Sequence, residues 1–174
     1  MRQLPLLSLA VVLCAQTDKL PSFDEYKVSE VYTDKPAEPR LSTAFARNFG
    51  TAIREGAARG PNFAGTFSIV QWGCGSGCTQ MAVVNESNGA VYRGPFVTLD
   101  FSSMHVFPDG TKNFDTDRFE PLRFHVNSRL LVVRGCPEEN QNNRATFYYE
   151  WGGSKFRLIQ RFTAIPVVAD PPAR

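Results

Sequence analysis

The feature that most constrains this chain is the Gly60-Pro61 pair, because the hydrophobic period changes there. Before it, Leu41, Phe45, Phe49, Ala52 and Ile53 recur at three- and four-residue spacing, which predicts a helix with one apolar face. Ser42 is placed to cap its start, and Gly60 followed by Pro61 is a strong stop. Gly50 and Gly56 weaken such a helix by roughly 1 kcal/mol each relative to alanine, so it must pack on something. After Pro61 the period falls to two. A helix followed only by strands argues against the alternating units of a parallel α/β domain.

The strands expected from β-prone runs and turn residues begin with Phe67–Val70 and Thr79–Val84. An Asn85–Gly89 turn then leads to Ala90–Arg93. Val97–Phe101, Met104–Phe107, Leu122–Val126 and Arg129–Arg134 follow. Arg144–Trp151 and Ser154–Phe162 flank Gly152-Gly153 and predict a hairpin with a two-residue turn. That turn would set Glu150 opposite Lys155, Tyr149 opposite Phe156, Tyr148 opposite Arg157 and Phe147 opposite Leu158, with Phe147, Tyr149, Phe156 and Leu158 on one apolar face. Two segments echo each other: Phe67–Gly73 and Tyr148–Gly152 are both aromatic strands closed by Trp-Gly. The expected fold is α+β: a mainly antiparallel β-sheet with one N-terminal helix packed on it. A small barrel-like or propeller-like meander is one form the sheet could take.

Composition bounds the rest. The chain has 174 residues with a formal charge of +2, too balanced to argue for nucleic acid. Residues 1–15 read as a signal peptide: Arg2, then an apolar Leu4–Leu13 run shorter than the roughly 20 residues a spanning helix needs, then Ala15. Cys14 offers a second reading as the acylated residue of an outer-membrane lipoprotein, although Leu13 before it is large for that signal. Residues 16–40, with Pro21, Pro36 and Pro39, read as an extended arm. Residues 41–165 read as a single α+β domain and 166–174 as a flexible tail. No transmembrane segment is expected, and the expected location is periplasmic or secreted.

The candidate sites are few. Trp72-Gly73-Cys74-Gly75-Ser76-Gly77-Cys78 is a permissive turn in which Cys74 and Cys78 can bond, while a bond from either to Cys136 stays open. As an anion nest it lacks the lysine and helix of a phosphate loop. As a redox thiol its spacing has one residue too many, and Glu138 and Glu139 beside Cys136 disfavour a thiolate. The three cysteines beyond the expected signal peptide and the two distant histidines lack the compact spacing of a zinc site. Asn113–Asp117, with Glu120, offers oxygen ligands for calcium, but Arg118 stands where an EF-hand loop needs glycine. His105 and His125 sit in strands with no positioned partner and read as structural. Asn140–Asn143 is a polar loop that could form a contact surface. Trp72, Tyr148, Tyr149 and Trp151 could form a recognition patch or belong to the core. No catalytic residue, metal ligand or cofactor is therefore assigned.

The stretch Gly60-Pro61-Asn62-Phe63-Ala64-Gly65, then Trp72-Gly73-Cys74-Gly75 and Cys78, resembles a family of small exported Gram-negative bacterial proteins of unassigned function. Ser128–Val133 and the Tyr148–Phe156 hairpin fit the same resemblance, which covers roughly Leu41 to Phe162. It implies a bacterial, periplasmic setting and carries over no catalytic residues. The functional expectation is a non-enzymatic protein-binding module, for example an inhibitor of a periplasmic or cell-wall protein. The alternative is a small periplasmic hydrolase or thiol enzyme acting on cell-envelope material.

Overall fold

The structure is a computed structural model that describes residues 19–75, 78–95, 97–98, 105–106, 110, 120–137, 140–163 and 165–166. The expected signal peptide, Cys14 and the Asn113–Asp117 loop lie outside the described residues.

The fold is α+β, as expected. Helices α1 (Ala44–Asn48) and α2 (Gly50–Ala57) precede ten strands: β1 (Phe67–Gly75), β2 (Cys78–Asn85), β3 (Val91–Arg93), β4 (Val97–Thr98), β5 (His105–Val106), β6 (Leu122–Phe124), β7 (Leu130–Pro137), β8 (Ala145–Trp151), β9 (Phe156–Thr163) and β10 (Ile165–Pro166). Every strand pair is antiparallel. One unit is β1–β2–β3 and another is β6–β7–β8–β9, with β4 joining them by pairing β2 on one side and β7 on the other. The path runs β1-β2-β4-β7-β8-β9, an open meander with no closed barrel among the described residues.

Three apolar layers hold it together. The central layer lies between the two units and gathers Phe63, Ile69, Met81, Val83, Leu131, Val133, Phe147 and Trp151. Trp151, 1% exposed, meets the rings of Phe63, Phe67, Tyr92 and Phe156. A second layer places α1 and α2 over the outer face of β1 and β2 through Ala46, Ile53, Ala57, Val70, Ala82 and Val84. The third covers the outer face of β7 and β8, where Leu130, Val132 and Tyr148 are capped by Leu20, Phe23 and Tyr26. The two echoing Trp-Gly segments therefore do different jobs. Trp72 lies under the helices, and Trp151 lies at the centre.

The single expected helix is two pieces. Thr43, not Ser42, caps α1 by accepting from Ala46 N at 3.1 Å, and the chain bends at Phe49 (φ −114°, ψ 21°). The bend lets both Phe45 and Phe49 pack on Trp72, at ring distances of 6.0 and 4.8 Å. Gly56 is where α2 meets β1, since a Cβ there would stand 2.3 Å from Val70 Cγ1. Complete burial of Ile53 contributes roughly 1.5–3 kcal/mol, comparable to what the two helix glycines cost.

The segment read as an arm is a strap laid along the domain. Phe23–Tyr26 forms a 3-10 turn, and Lys27 bridges Ser128. Val28 N donates to Asn127 O, Tyr32 N to Gly65 O, Ala37 N to Glu86 O and Arg40 N to Gly89 O. Gly65 (φ +77°) and Gly89 (φ +71°) are required where the strap crosses. A Cβ at either would meet a strap carbonyl, Glu30 O at 2.3 Å or Glu38 O at 2.1 Å.

The C-terminal hairpin forms, but not with the expected register. Its loop spans four residues, closed by Gly152 N donating to Lys155 O at 3.0 Å, with Gly153 at φ +89°. Trp151 therefore pairs Phe156, Glu150 pairs Arg157 and Tyr149 pairs Leu158, before a bulge beyond Tyr149. This register sets Glu150 against both Arg129 and Arg157. It leaves Leu158 48% exposed rather than in the apolar face.

Candidate functional site

The glycine–cysteine loop is the tip of the β1–β2 hairpin. Cys74 and Cys78 form a disulfide with their Cα atoms 5.1 Å apart. Cys136 takes no part in that bond; it lies buried in β7 opposite Thr98, which on its other side pairs Cys78. Thiol chemistry at Cys74 or Cys78 would require prior reduction. The tip is well exposed at Gly73, Cys74 and Gly75, and Gly75 takes φ +133° at a register shift. The staple keeps the two strands together past the point where the domain covers them.

The hydrogen-bond pattern of β1 then becomes informative. Glu86 N donates to Thr66 O, so those two residues face each other across the hairpin. Antiparallel pairing alternates, which turns Ser68, Val70 and Trp72 toward β2 and Phe67, Ile69, Gln71 and Gly73 outward. The outward groups of Phe67 are met by Phe63: each residue's N–H donates to the other's carbonyl, at 2.8 and 2.9 Å. Those of Ile69 are met by the side chain of Asn62. Its Nδ2 donates to Ile69 O at 3.1 Å, and its Oδ1 accepts from Ile69 N at 2.8 Å. The Asn62 amide thus imitates a neighbouring strand for one residue. At Gln71 and Gly73, no described residue bonds to the outward main chain.

A groove straddles this edge. Ala52, Glu55 and Gly56 of α2, with Arg59 just beyond its end, wall one side and Phe124 of β6 the other, along Ile69–Trp72 and ending at Asn62. Its volume is about 400 Å³. Glu55 and Arg59 stand exposed on its rim. Trp72 lines it, and no described residue accepts from the Trp72 indole N–H.

The resembling motif has structural jobs throughout. Gly60 (φ +83°) ends the helix, and its carbonyl accepts from Ser68 Oγ at 2.6 Å. Asn62 plugs the edge, Phe63 is fully buried, and Ala64 (φ +46°) and Gly65 make the turn into β1. Close by, Glu86 is fully buried, and neither carboxylate oxygen has a described donor. Desolvation raises its pKa above the ordinary 4.5, and neighbouring Ser68 offsets this only in part.

The other expected residues do not converge here. His125 is exposed and stacks on Phe23 with ring centroids 3.9 Å apart. His105 pairs Pro166 through the β5–β10 backbone. Trp151 and Tyr148 are buried in two separate layers, and Trp72 and Tyr149 are half-buried, so the four aromatics form no single patch. Asn140 caps the 3-10 turn Gln141–Asn143 by accepting from Asn142 N. No acidic or thiol–imidazole cluster able to hold a metal occurs among the described residues. No helix among them is long and apolar enough to cross a membrane. Sequence reasoning named Asn62 and Gly73 only within motifs and gave Gln71 no role, so none of the three was read as part of a strand edge. The available signal was a polar glutamine and a glycine continuing an apolar strand. Comparison with protein-family models, curated proteins and solved structures returns no match.

Proposed function

We propose that this chain is a non-enzymatic binding module of the cell envelope that takes an extended segment of a partner protein onto the open edge of β1. The observation that carries the reading is the outward main chain of Gln71 and Gly73, which begins where the Asn62 side chain stops. Strand addition uses such groups: main-chain hydrogen bonds supply affinity, and flanking pockets supply selectivity. The edge already holds an amide two-handed at Ile69, which supports its competence to hold another. The Cys74–Cys78 staple fits an exported, oxidising setting, as does the resemblance to small exported Gram-negative proteins.

The test is a photo-crosslinking amino acid placed at Gln71 and, as a control, at Leu158 in cells exporting the full chain. The reading expects one envelope protein captured through position 71, at a site in an extended segment, and none through 158. Equal capture at both positions, or none at 71, would overturn it. Fractionation of the same cells checks the compartment.

A further inference from the structure

We propose that the protonated carboxyl of Glu86 latches a clasp: it keeps residues 32–40 of the strap closed over the turn at 85–89, and its ionisation lets them lift. This device is independent of the β1 edge.

The strap is held in two separate stretches. Near its start, Val28 N donates to Asn127 O and Tyr26 O accepts from Arg129 N, which ties that stretch to the approach to β7. Further on, Ala37 N donates to Glu86 O at 2.8 Å and Arg40 N to Gly89 O at 2.7 Å. Tyr32 N donates to Gly65 O, one residue before Thr66, whose carbonyl accepts from Glu86 N. The second stretch thus rests on Glu86, on its turn and beside its main-chain partner.

The Glu86 side chain is fully buried at this crossing, and neither carboxyl oxygen has a donor among the described residues. Ser68 beside it has one proton, which it gives to Gly60 O at 2.6 Å. Unless it gives that bond up, Ser68 offers Glu86 only lone pairs, which an acid O–H can use and a carboxylate cannot. Strands β1 and β2 and the turn carry no charged residue except Glu86. On the strap, Asp34, Lys35, Glu38 and Arg40 are exposed, as are Arg54 and Glu55 of α2 and Arg59 beyond it, and Glu38 pairs with Arg54. Among the described residues none of these bonds to the Glu86 carboxyl. A carboxylate at this place is dry and unpaired while the strap is closed, and gains water when it lifts. The closed form is therefore complete below the ordinary value of 4.5. As pH climbs from there toward the raised value, the lifted form gains up to about tenfold per pH unit.

Amide hydrogen exchange of the intact protein between pH 4 and pH 8, expressed as protection relative to unstructured chain, tests the clasp. Protection of Ala37 and Arg40 should fall at least threefold over that range and stay below that of Val133 in β7 throughout. Val28, in the other stretch, should keep its protection. Glu86→Gln cannot ionise and should hold Ala37 and Arg40 at one level. Constant protection at Ala37 and Arg40, a fall shared equally by Val28, or a fall that persists in Glu86→Gln would overturn the proposal. So would protection at Ala37 and Arg40 equal to that of Val133 at every pH, because those amides would then open only when the whole domain unfolds. The comparison of Ala37 with Val28 needs no variant, so the proposal stays open to refutation if Glu86→Gln does not fold.

Discussion

Strands β1 and β9 end the main path of the described sheet, from which β3 and β6 branch, and the two ends are finished differently. Strand β9 carries Arg157 and Arg161, both exposed, and a bulge opposite the Tyr148–Tyr149 step. Arg157 pairs Glu150, and Arg161 is tied to Asn143 and Thr163. Charges and bulges are how soluble proteins discourage another strand from docking. Among the described residues, strand β1 is protected only along its first half, by Phe63 and the Asn62 side chain, and then continues as Gln71, Gly73 and Gly75 without a charge. The half that is open also borders a groove, and its tip is held by a disulfide. Among the described residues, the outer side of β9 is shielded by charges and a bulge, and that of β1 is met only as far as Ile69. That difference is the physical basis of the proposed function.

The comparison can be broken most sharply by proline. Gly73→Pro deletes an outward N–H without touching the bonds to β2, and should weaken peptide binding by about a hundredfold. Arg161→Pro, at an outward position of β9, should change it less than about twofold. Isothermal titration with a peptide copied from the segment captured at Gln71 measures both, and equal losses would erase the distinction. Next in size, Gly56→Ala forces a Cβ into Val70 and should cost roughly 1–3 kcal/mol of stability by urea unfolding, because α2 must lift from β1. Breaking the staple with Cys74→Ser and Cys78→Ser should cost about 2 kcal/mol in the same assay. It should also raise hydrogen exchange at Trp72, whose bonds to β2 lie nearest the tip.

Much of this was legible in the residues, and the failures have physical reasons. The change of period at Gly60-Pro61 marked the helix-to-sheet boundary because a helical stripe and a strand alternation cannot share one sequence. Cys74 and Cys78 marked their own bond through the glycines between them. The hairpin at Gly152 was legible, but its register was not. Gly152-Gly153 permits a two-residue turn, and burial of Trp151 against Phe156 selected a four-residue one. The strap was missed because its hydrogen bonds run to loop carbonyls, which leave no periodic trace. The β1 edge was missed because it is defined by which described neighbour is absent, and nothing in the sequence says that the Asn62 side chain reaches the main chain of Ile69.

Two smaller effects sharpen the contrast. Gln71→Lys places a β9-like charge on β1 and should weaken peptide binding several-fold while shifting stability by less than about 0.5 kcal/mol. Glu86 anchors the guarded end of β1 through Thr66, and its pKa is raised by burial. A carboxyl kept neutral by folding contributes fully below its ordinary value of 4.5. Stability should fall as pH climbs from there toward the raised value. Thermal unfolding between pH 4 and pH 8 should show that decline, and Glu86→Gln should flatten it without altering binding at Gln71.

Amide hydrogen exchange of the free protein, resolved residue by residue, tests the open edge most directly. Gln71 and Gly73 should exchange near the rate of unstructured chain while Val70 and Trp72, bonded to β2, exchange far more slowly. Protection of Gln71 and Gly73 equal to that of their neighbours would mean that the edge is already occupied, and would contradict the account.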